Sequence, residues 1–270
     1  MEKARILFVE QAITPYLKET HMSKICRYLP QGIQERGKEI RTFMPRFGCI
    51  NERRNQLHEV IRLSGMNLII NDTDHPLIIK VASIQQARMQ IYFIDNEDFF
   101  HRKFTIKDKA GKFYDDNDER TIFFSRGVIE TVKKLGWGPD IIHCHGWMSS
   151  LVPLYVKRAY KDNPLFAESK VVYSLYDDDF KEQFRDSFEK KLKLPGVTAK
   201  DLKYFKDPNF VNVTKAAIDY SDAIVITSDK INPELLEYVH EKKKPTLIHN
   251  NDAPYVDAYN EFYNSLLSKK

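Results

Sequence analysis

Short apolar runs alternate with amphipathic stretches along most of this chain, and their order predicts an α/β protein. Residues 5–10, Arg-Ile-Leu-Phe-Val-Glu, are an apolar run bounded by charge, the pattern of a strand buried on both faces. After a loop over 11–21, Met22, Ile25, Cys26, Leu29 and Ile33 recur on one face at helical spacing. Gly37 is placed to end that helix in a left-handed cap, and Pro30 is expected to kink it. A strand follows over 39–44. The runs 57–63, 77–82 and 90–94 read as strands joined by polar turns, an antiparallel insertion. Regular alternation resumes afterwards. Helices over 120–135, 150–160 and 210–220 precede strands over 140–144, 170–175 and 222–227. The stretch 181–209 is charged and reads as loop; a segment over 233–240, a short strand over 245–249 and a helix over 255–267 follow. Strands separated by helices of about 10–15 residues mean a doubly wound, mostly parallel sheet. No internal repeat, low-complexity tract or interdomain linker is visible.

Composition narrows the function classes. The 270 residues carry a net charge of +4 with 30% charged positions. Nucleic-acid binders usually concentrate basic charge, so no nucleic-acid partner is expected. The two dense basic runs, Lys190-Lys191-Leu192-Lys193 and Lys242-Lys243-Lys244, read as solvated surface. Cys26, Cys49 and Cys144 show neither metal spacing nor an even disulfide framework, which fits a reducing cytosol. The first residues do not read as a signal peptide, and no apolar run approaches the roughly 18 residues that span a bilayer, so no membrane partner is expected. Glycine is scarce, with ten in all and Gly32 the first. The first strand is therefore followed by no glycine-rich loop of the usual dinucleotide or phosphate-binding kind.

Candidate chemistry concentrates at residues 139–151, Pro-Asp-Ile-Ile-His-Cys-His-Gly-Trp-Met-Ser-Ser-Leu. An apolar strand runs into two histidines, a turn glycine and a tryptophan. Ligands of open α/β sheets bind beyond the carboxyl ends of the strands. His143 and His145 have His-x-His spacing, but no third ligand is apparent, so no metal is expected. Trp147 reads equally as a sugar-stacking ring and as a plug in the cleft floor. Asp177-Asp178-Asp179 could be an acidic metal motif; capping of the next helix is the commoner cause of such a run. Asp95, Glu119 and Arg120 read as structural charges holding the insertion.

Taken in order, these residues resemble the N-terminal domain of bacterial glycogen synthase and plant starch synthase. Phe8-Val9 with Pro15-Tyr16-Leu17-Lys18 is similar to that family's first strand and its Lys-Thr-Gly-Gly-Leu loop. Leu29-Pro30, Arg36-Gly37 and Met44-Pro45-Arg46-Phe47-Gly48 follow at the family's spacing. Tyr92-Phe93-Ile94-Asp95-Asn96, Phe123-Phe124-Ser125-Arg126, Leu135-Gly136-Trp137 and Asn212 with Lys215 continue the match. The resemblance implies two Rossmann-like domains and transfer of glucose, with retention, from ADP-glucose to the non-reducing end of an α-1,4-glucan. It implies no cofactor. The expected organisation is a Rossmann-like domain over 1–252 and a C-terminal helix over 253–270, with the family's second, nucleotide-binding domain absent. Carried over by position, Lys18, His145, Trp147, Tyr176, Asp177 and Lys215 are the expected substrate-binding residues.

The departures fall where that chemistry would lie. The family's Thr-Gly-Gly is here Glu19-Thr20-His21, where side chains would obstruct the approach of a diphosphate to the helix N-terminus. Lys24 stands at an acidic position. The family's His-Asp-Trp-His-Thr is His145-Gly146-Trp147-Met148-Ser149, so its active-site histidine is Met148; Thr-Ile-His-Asn is Ser174-Leu175-Tyr176-Asp177; and Lys-Gly-Gly is Lys215-Ala216-Ala217. The expectation is an acceptor-side domain that binds an α-1,4-glucan or malto-oligosaccharide, with ADP-glucose binding weakened and transfer weak or absent. Three other readings stand beside it. One is a non-catalytic glucan-binding or regulatory module. Another is a subunit completed by a partner chain docked on the terminal helix through Tyr255, Tyr259, Phe262, Leu266 and Leu267. The most remote is a single-domain, metal-dependent glycosyltransferase.

Overall fold

The computed structural model describes residues 3–268; the extreme ends of the two expected segments, 1–2 and 269–270, lie outside the described residues. The strands are β1 (Arg5–Glu10), β2 (Glu39–Pro45), β3 (His58–Glu59), β4 (Met66–Ile70), β5 (Thr73–Ile84), β6 (Met89–Asp95), β7 (Ile141–His145), β8 (Lys170–Leu175), β9 (Ala223–Ile226) and β10 (Thr246–Ile248). The helices are α1 (His21–Glu35), α2 (Glu97–Phe100), α3 (Asn117–Leu135), α4 (Val152–Lys157), α5 (Phe188–Lys191), α6 (Phe210–Tyr220), α7 (Pro233–Lys242) and α8 (Tyr255–Leu267).

Strand order is β10-β9-β8-β7-β1-β2-β6-β5-β3, with β4 paired to β5 alone. From β10 to β6 every pairing is parallel. The chain winds outward from β1 in one direction through β2 and in the other through β7 to β10, so the order reverses between β1 and β7. Crevices at such reversals are where open α/β sheets hold ligands. Right-handed crossovers place α1 on one face of the sheet and α3, α4, α6 and α7 on the other; α8 packs beside α1.

The doubly wound α/β architecture agrees with the sequence pattern, and the edges of several elements do not. The antiparallel insertion is present, with β3, β4 and β6 each antiparallel to β5, but β6 also joins the main sheet parallel to β2. The run 57–63 shrinks to the two exposed residues of β3, while β5 extends to twelve. Helix 150–160 reduces to a 3-10 turn over Trp147–Ser149 and the six residues of α4. Helix α1 runs unbroken through Pro30, and Gly37 (φ 86°) turns the chain after it as expected.

Buried charges pin the loops to this frame. Asp95, fully buried, meets Arg46 (3.2 Å) and Lys80 (3.0 Å), tying β5 to the ends of β2 and β6. Arg120, also buried, donates to the Phe99 carbonyl (2.7 Å) and the Asn117 side chain (2.6 Å). Glu119 does not hold the insertion. With Asp118 it binds Lys191 (2.7 and 2.9 Å) and Arg185 (2.9 and 2.6 Å), anchoring the 181–209 segment to α3. Lys191 is therefore not solvated surface; its side chain is 3% exposed.

Helix α8 is short for independent stability, since isolated helices of this length are marginal in water. It forms because it docks. Tyr259 and Tyr263 are fully buried, and burying an aromatic ring of 150–250 Å² contributes about 4–6 kcal/mol before entropy is counted. Asp257 pairs with Arg36 (2.6 Å) and Asn260 accepts from Lys38 (2.5 Å). Val256 fills the space over Gly32, where an added Cβ would lie 2.6 Å from its Cγ1. The stripe expected to receive a partner chain thus covers this chain's own α1 face: Tyr259 and Leu266 are buried there, and Tyr255, Phe262 and Leu267 pack against the core.

Candidate functional site at the strand reversal

The site is built at the carboxyl ends of β1, β7 and β8. Glu10 and His145 are register partners, so their side chains emerge on the same face. The Gln11 amide donates to the His145 carbonyl (3.1 Å), and the Gln11 side-chain oxygen accepts from the Met148 amide (3.0 Å). Gly146 permits this closure. It sits at φ 84°, and a Cβ there would fall 2.7 Å from the Gln11 Oε1. Trp147 and Met148 then turn inward, and the gap between the two strand ends is filled by protein atoms.

Four of the positions carried over from the family lie in this floor, turned away from solvent. Met148 and His145 are fully buried, Trp147 is 1% exposed and Tyr176 is 3% exposed. Trp147 is the plug, not a sugar platform: its ring lies 5.1–5.9 Å from Phe180, Phe184 and Phe113, which cover it. His145 Nδ1 is hydrogen-bonded to the Tyr176 hydroxyl (2.8 Å), so each occupies the other. Lys215 is held elsewhere. Its ammonium pairs with Glu234 (2.5 Å) and lies 5.1 Å from the Tyr238 ring, both on α7. Lys18 and Asp177 are exposed, and the Lys18 ammonium has no partner among the described residues. The acidic triplet splits three ways: Asp177 faces solvent, Asp178 accepts from the Trp147 amide (3.3 Å) and Asp179 accepts from Asn232 (3.1 Å). Its middle member caps the turn that precedes it, not the next helix.

His21 decides the shape of the crevice. Thr20 caps α1 reciprocally with Ser23, which fixes the first turn. The next residue, His21, reaches across β7 and β8, its Nε2 hydrogen-bonded to the Thr227 carbonyl after β9 (2.9 Å). Its ring lies 6.1 Å from Tyr176 and 5.5 Å from His249. Glu19 and Lys24, the other departures in this loop, pair with each other at 3.4 Å on the surface.

Beneath His21 the groups are dehydrated and uncharged. His143 is hydrogen-bonded to the Tyr263 hydroxyl (2.6 Å) and to Ser174 (2.7 Å); burial, with His145 beside it, holds its pKa well below the usual imidazole range. Burial and the nearby His249 push His145 down to about 3. His249 binds the Tyr259 hydroxyl and the Asn251 side chain (3.0 Å each) and is lowered by burial too. Glu10 is fully buried with only the weak Cys26 thiol donor at its carboxyl; burial raises its pKa well above the carboxylate range, and the thiol offsets only part of this. Asp178 is half-exposed as a residue, but its carboxyl is turned onto the protein. Burial lifts it to about 7 against the Trp147 amide. The sequence pattern marks His21 as an obstruction at the start of α1 but does not mark His249 and Tyr263 as parts of the site. The i, i+4 spacing of Tyr255, Tyr259 and Tyr263 was the available signal.

A profile of the starch synthase catalytic domain matches residues 5–252. The chain belongs to that family. Glycogen synthase of Chlorobaculum tepidum is 34% identical over 235 residues, covering 86% of this chain and 47% of that protein. Glycogen synthase of Chlorobium luteolum is 36% identical over 174 residues, 64% of this chain and 36% of that one. This family member thus spans about half the length, or less, of the curated relatives it matches. The starch synthase IV catalytic domain from Arabidopsis thaliana, solved bound to ADP and acarbose, superposes with a TM-score of 0.72 at 17% identity. It covers 94% of this chain and 53% of that one, and it shows the shared fold. No helix among the described residues is long and apolar enough to cross a membrane.

Proposed function

We propose that this chain is the acceptor-side half of a glycogen or starch synthase-type glucosyltransferase. It binds an α-1,4-glucan along the rim formed by Lys18, His21 and Asp177, and contributes little to the nucleotide-sugar chemistry. The observation that carries this reading is the bridge from His21 to Thr227 over a floor that holds the fully buried Met148, the residue that the family resemblance sets against a histidine. A thioether buried in that floor offers no hydrogen bond to a transferring glucose. An imidazole spanning the crevice stands where a diphosphate would approach α1. Exposed lysine and carboxylate groups beside a partly buried imidazole on the rim suit the hydroxyls of a sugar chain. The occurrence of ADP and acarbose in the Arabidopsis structure supports the substrate class.

Calorimetric titration of the chain with maltoheptaose and with ADP-glucose tests the proposal. Maltoheptaose is expected to bind with a Kd on the order of a millimolar, weakened about fivefold by Lys18→Ala. ADP-glucose is expected to give no saturable heat. Robust glucose incorporation into glycogen by the chain alone would sink this reading in favour of an intact transferase.

A further inference from the structure

The other end of the sheet holds a second concave site. Helix α7 ends at Lys242, Lys243 takes the left-handed conformation (φ 50°), and the chain turns so that Lys242 and Lys244 both line a cleft of about 640 Å³. The second basic run is therefore not uniformly solvated surface. Arg158, just after α4, and Lys161, Lys200 and Lys203 bring the cations to six, against the carboxylates Asp201 and Asp219, an excess of four positive charges.

Both carboxylates are already committed. Asp201 accepts from Arg158 (2.7 Å), Tyr220 (2.6 Å) and the backbone and hydroxyl of Thr198 (2.8 and 2.7 Å). Burial alone would raise its pKa, but these donors hold it well below the carboxylate range. Asp219 accepts from Lys242 (2.8 Å), Tyr238 (2.9 Å) and Tyr204, and it too is held low despite its burial. Arg158 and Lys242 are thereby neutralised. Lys200, Lys203 and Lys244 have no ion pair among the described residues, and Lys161 has only Asp162 at 3.9 Å on the surface. Lys244 is fixed in place by three carbonyls at the end of α6, those of Ile218 (2.8 Å), Asp219 (2.7 Å) and Ser221 (2.5 Å). None of these acceptors carries a formal charge, and Asp219 and Asp222 act on this half-buried ammonium only from beyond ion-pair distance.

We propose that this cleft binds a small anion carrying two or more phosphate groups. Ammonium groups act as point charges toward phosphate and need no bidentate geometry. They stand around a concavity large enough for several phosphates, and the carboxylates in its wall among the described residues, Asp201 and Asp219, are shielded by their own donors. The site lies at the helix carboxyl ends, away from the crevice over β1 and β7, and is independent of glucan binding.

Calorimetry on the full chain with tripolyphosphate, and separately with fructose 1,6-bisphosphate, tests it. Saturable one-to-one binding is expected. Removing an ammonium about 5 Å from the anion costs about fivefold, so Lys200→Ala with Lys203→Ala should weaken binding about twentyfold. Both side chains are exposed, and the unliganded fold is expected to be unchanged in melting. Lys190→Ala with Lys193→Ala, exposed and outside the cleft, is the charge-matched control and should change binding less than about twofold. Tighter binding of the bisphosphate would assign an ester ligand, and tighter binding of tripolyphosphate an inorganic one. The proposal is overturned if no saturable binding occurs, or if the two double variants weaken it equally.

Discussion

The two ends of the sheet treat ionisable groups in opposite ways. At the carboxyl end, His143, His145, Glu10 and Tyr263 are fully buried and stacked against one another, with His249 nearly so. There, burial has removed charge: imidazoles are held neutral and carboxyls held protonated. At the amino end, Lys161, Lys200 and Lys203 stay solvated around a cleft, and the two carboxylates are ionised because each has several donors. Carboxyl groups show both outcomes: Glu10 and Asp178 are pushed up by burial, whereas Asp201 and Asp219 are held low by their donors. The difference lies in how many partners share the desolvation. A buried ion with several donors keeps its charge, whereas one without them gives it up.

The largest effect is expected from breaking the neutral end. Tyr263→Ala removes a buried ring and leaves His143 short of a partner, so it should cost about 3–5 kcal/mol in urea unfolding. A loss below about 1 kcal/mol would mean that α8 is not integral to this core. Acid should act at the same place. Below the usual imidazole pKa of about 6.5, the unfolded chain takes up protons that folded His143 and His145 refuse. Stability therefore falls with falling pH by up to about 1.4 kcal/mol per unit for each, down toward the folded value. Asp178 runs the other way. Held protonated up to about 7 when folded but ionised above the carboxylate range when unfolded, it weakens the fold as pH rises between those values. Asp178→Asn should therefore steepen the acid loss between about pH 5 and 7 by up to 1.4 kcal/mol per unit; urea midpoints at both pH values measure it, and an unchanged slope would show that Asp178 is solvated.

Smaller effects are expected at the charged end. Lys244→Met removes three bonds to carbonyls that water can partly replace, and should cost about 1–2 kcal/mol in thermal unfolding. Gain of stability instead would show that its uncompensated charge outweighs those bonds. Lys200→Ala at the cleft and Lys18→Ala at the opposite rim should each change stability by less than about 0.5 kcal/mol. A larger shift in either melting curve would reveal a structural role and weaken the binding assignment for that residue.

Much of this fold could be read along the chain. The apolar runs of β1, β7 and β8 are buried on both faces, and the stripe of α1 lies against the sheet as its spacing requires. Weak patterns were less informative. Strand β3 has two exposed residues held by pairing to β5, and α4 is cut short after the turn at Gly146, so neither leaves a clear periodic signal. Site residues were legible by position but not by role. The structure gathers His145, Trp147, Met148 and Tyr176 at the strand reversal, yet whether a residue faces a ligand or the interior depends on what covers it. Here the covers are Phe113, Phe180 and Phe184 over Trp147, and His21 beside Tyr176, all distant in sequence from the residues they cover.

The sequence by itself determined the alternation of strands and helices and the family, because periodicity and residue identity are local properties. Only the tertiary structure decided that His21 bridges the crevice, that α8 closes on its own domain, and that Lys191 is buried while Lys242 and Lys244 face a common cleft. Burial and charge pairing are sums over neighbours brought together by the fold, so residues of the same type acquire different states at the two ends of one sheet.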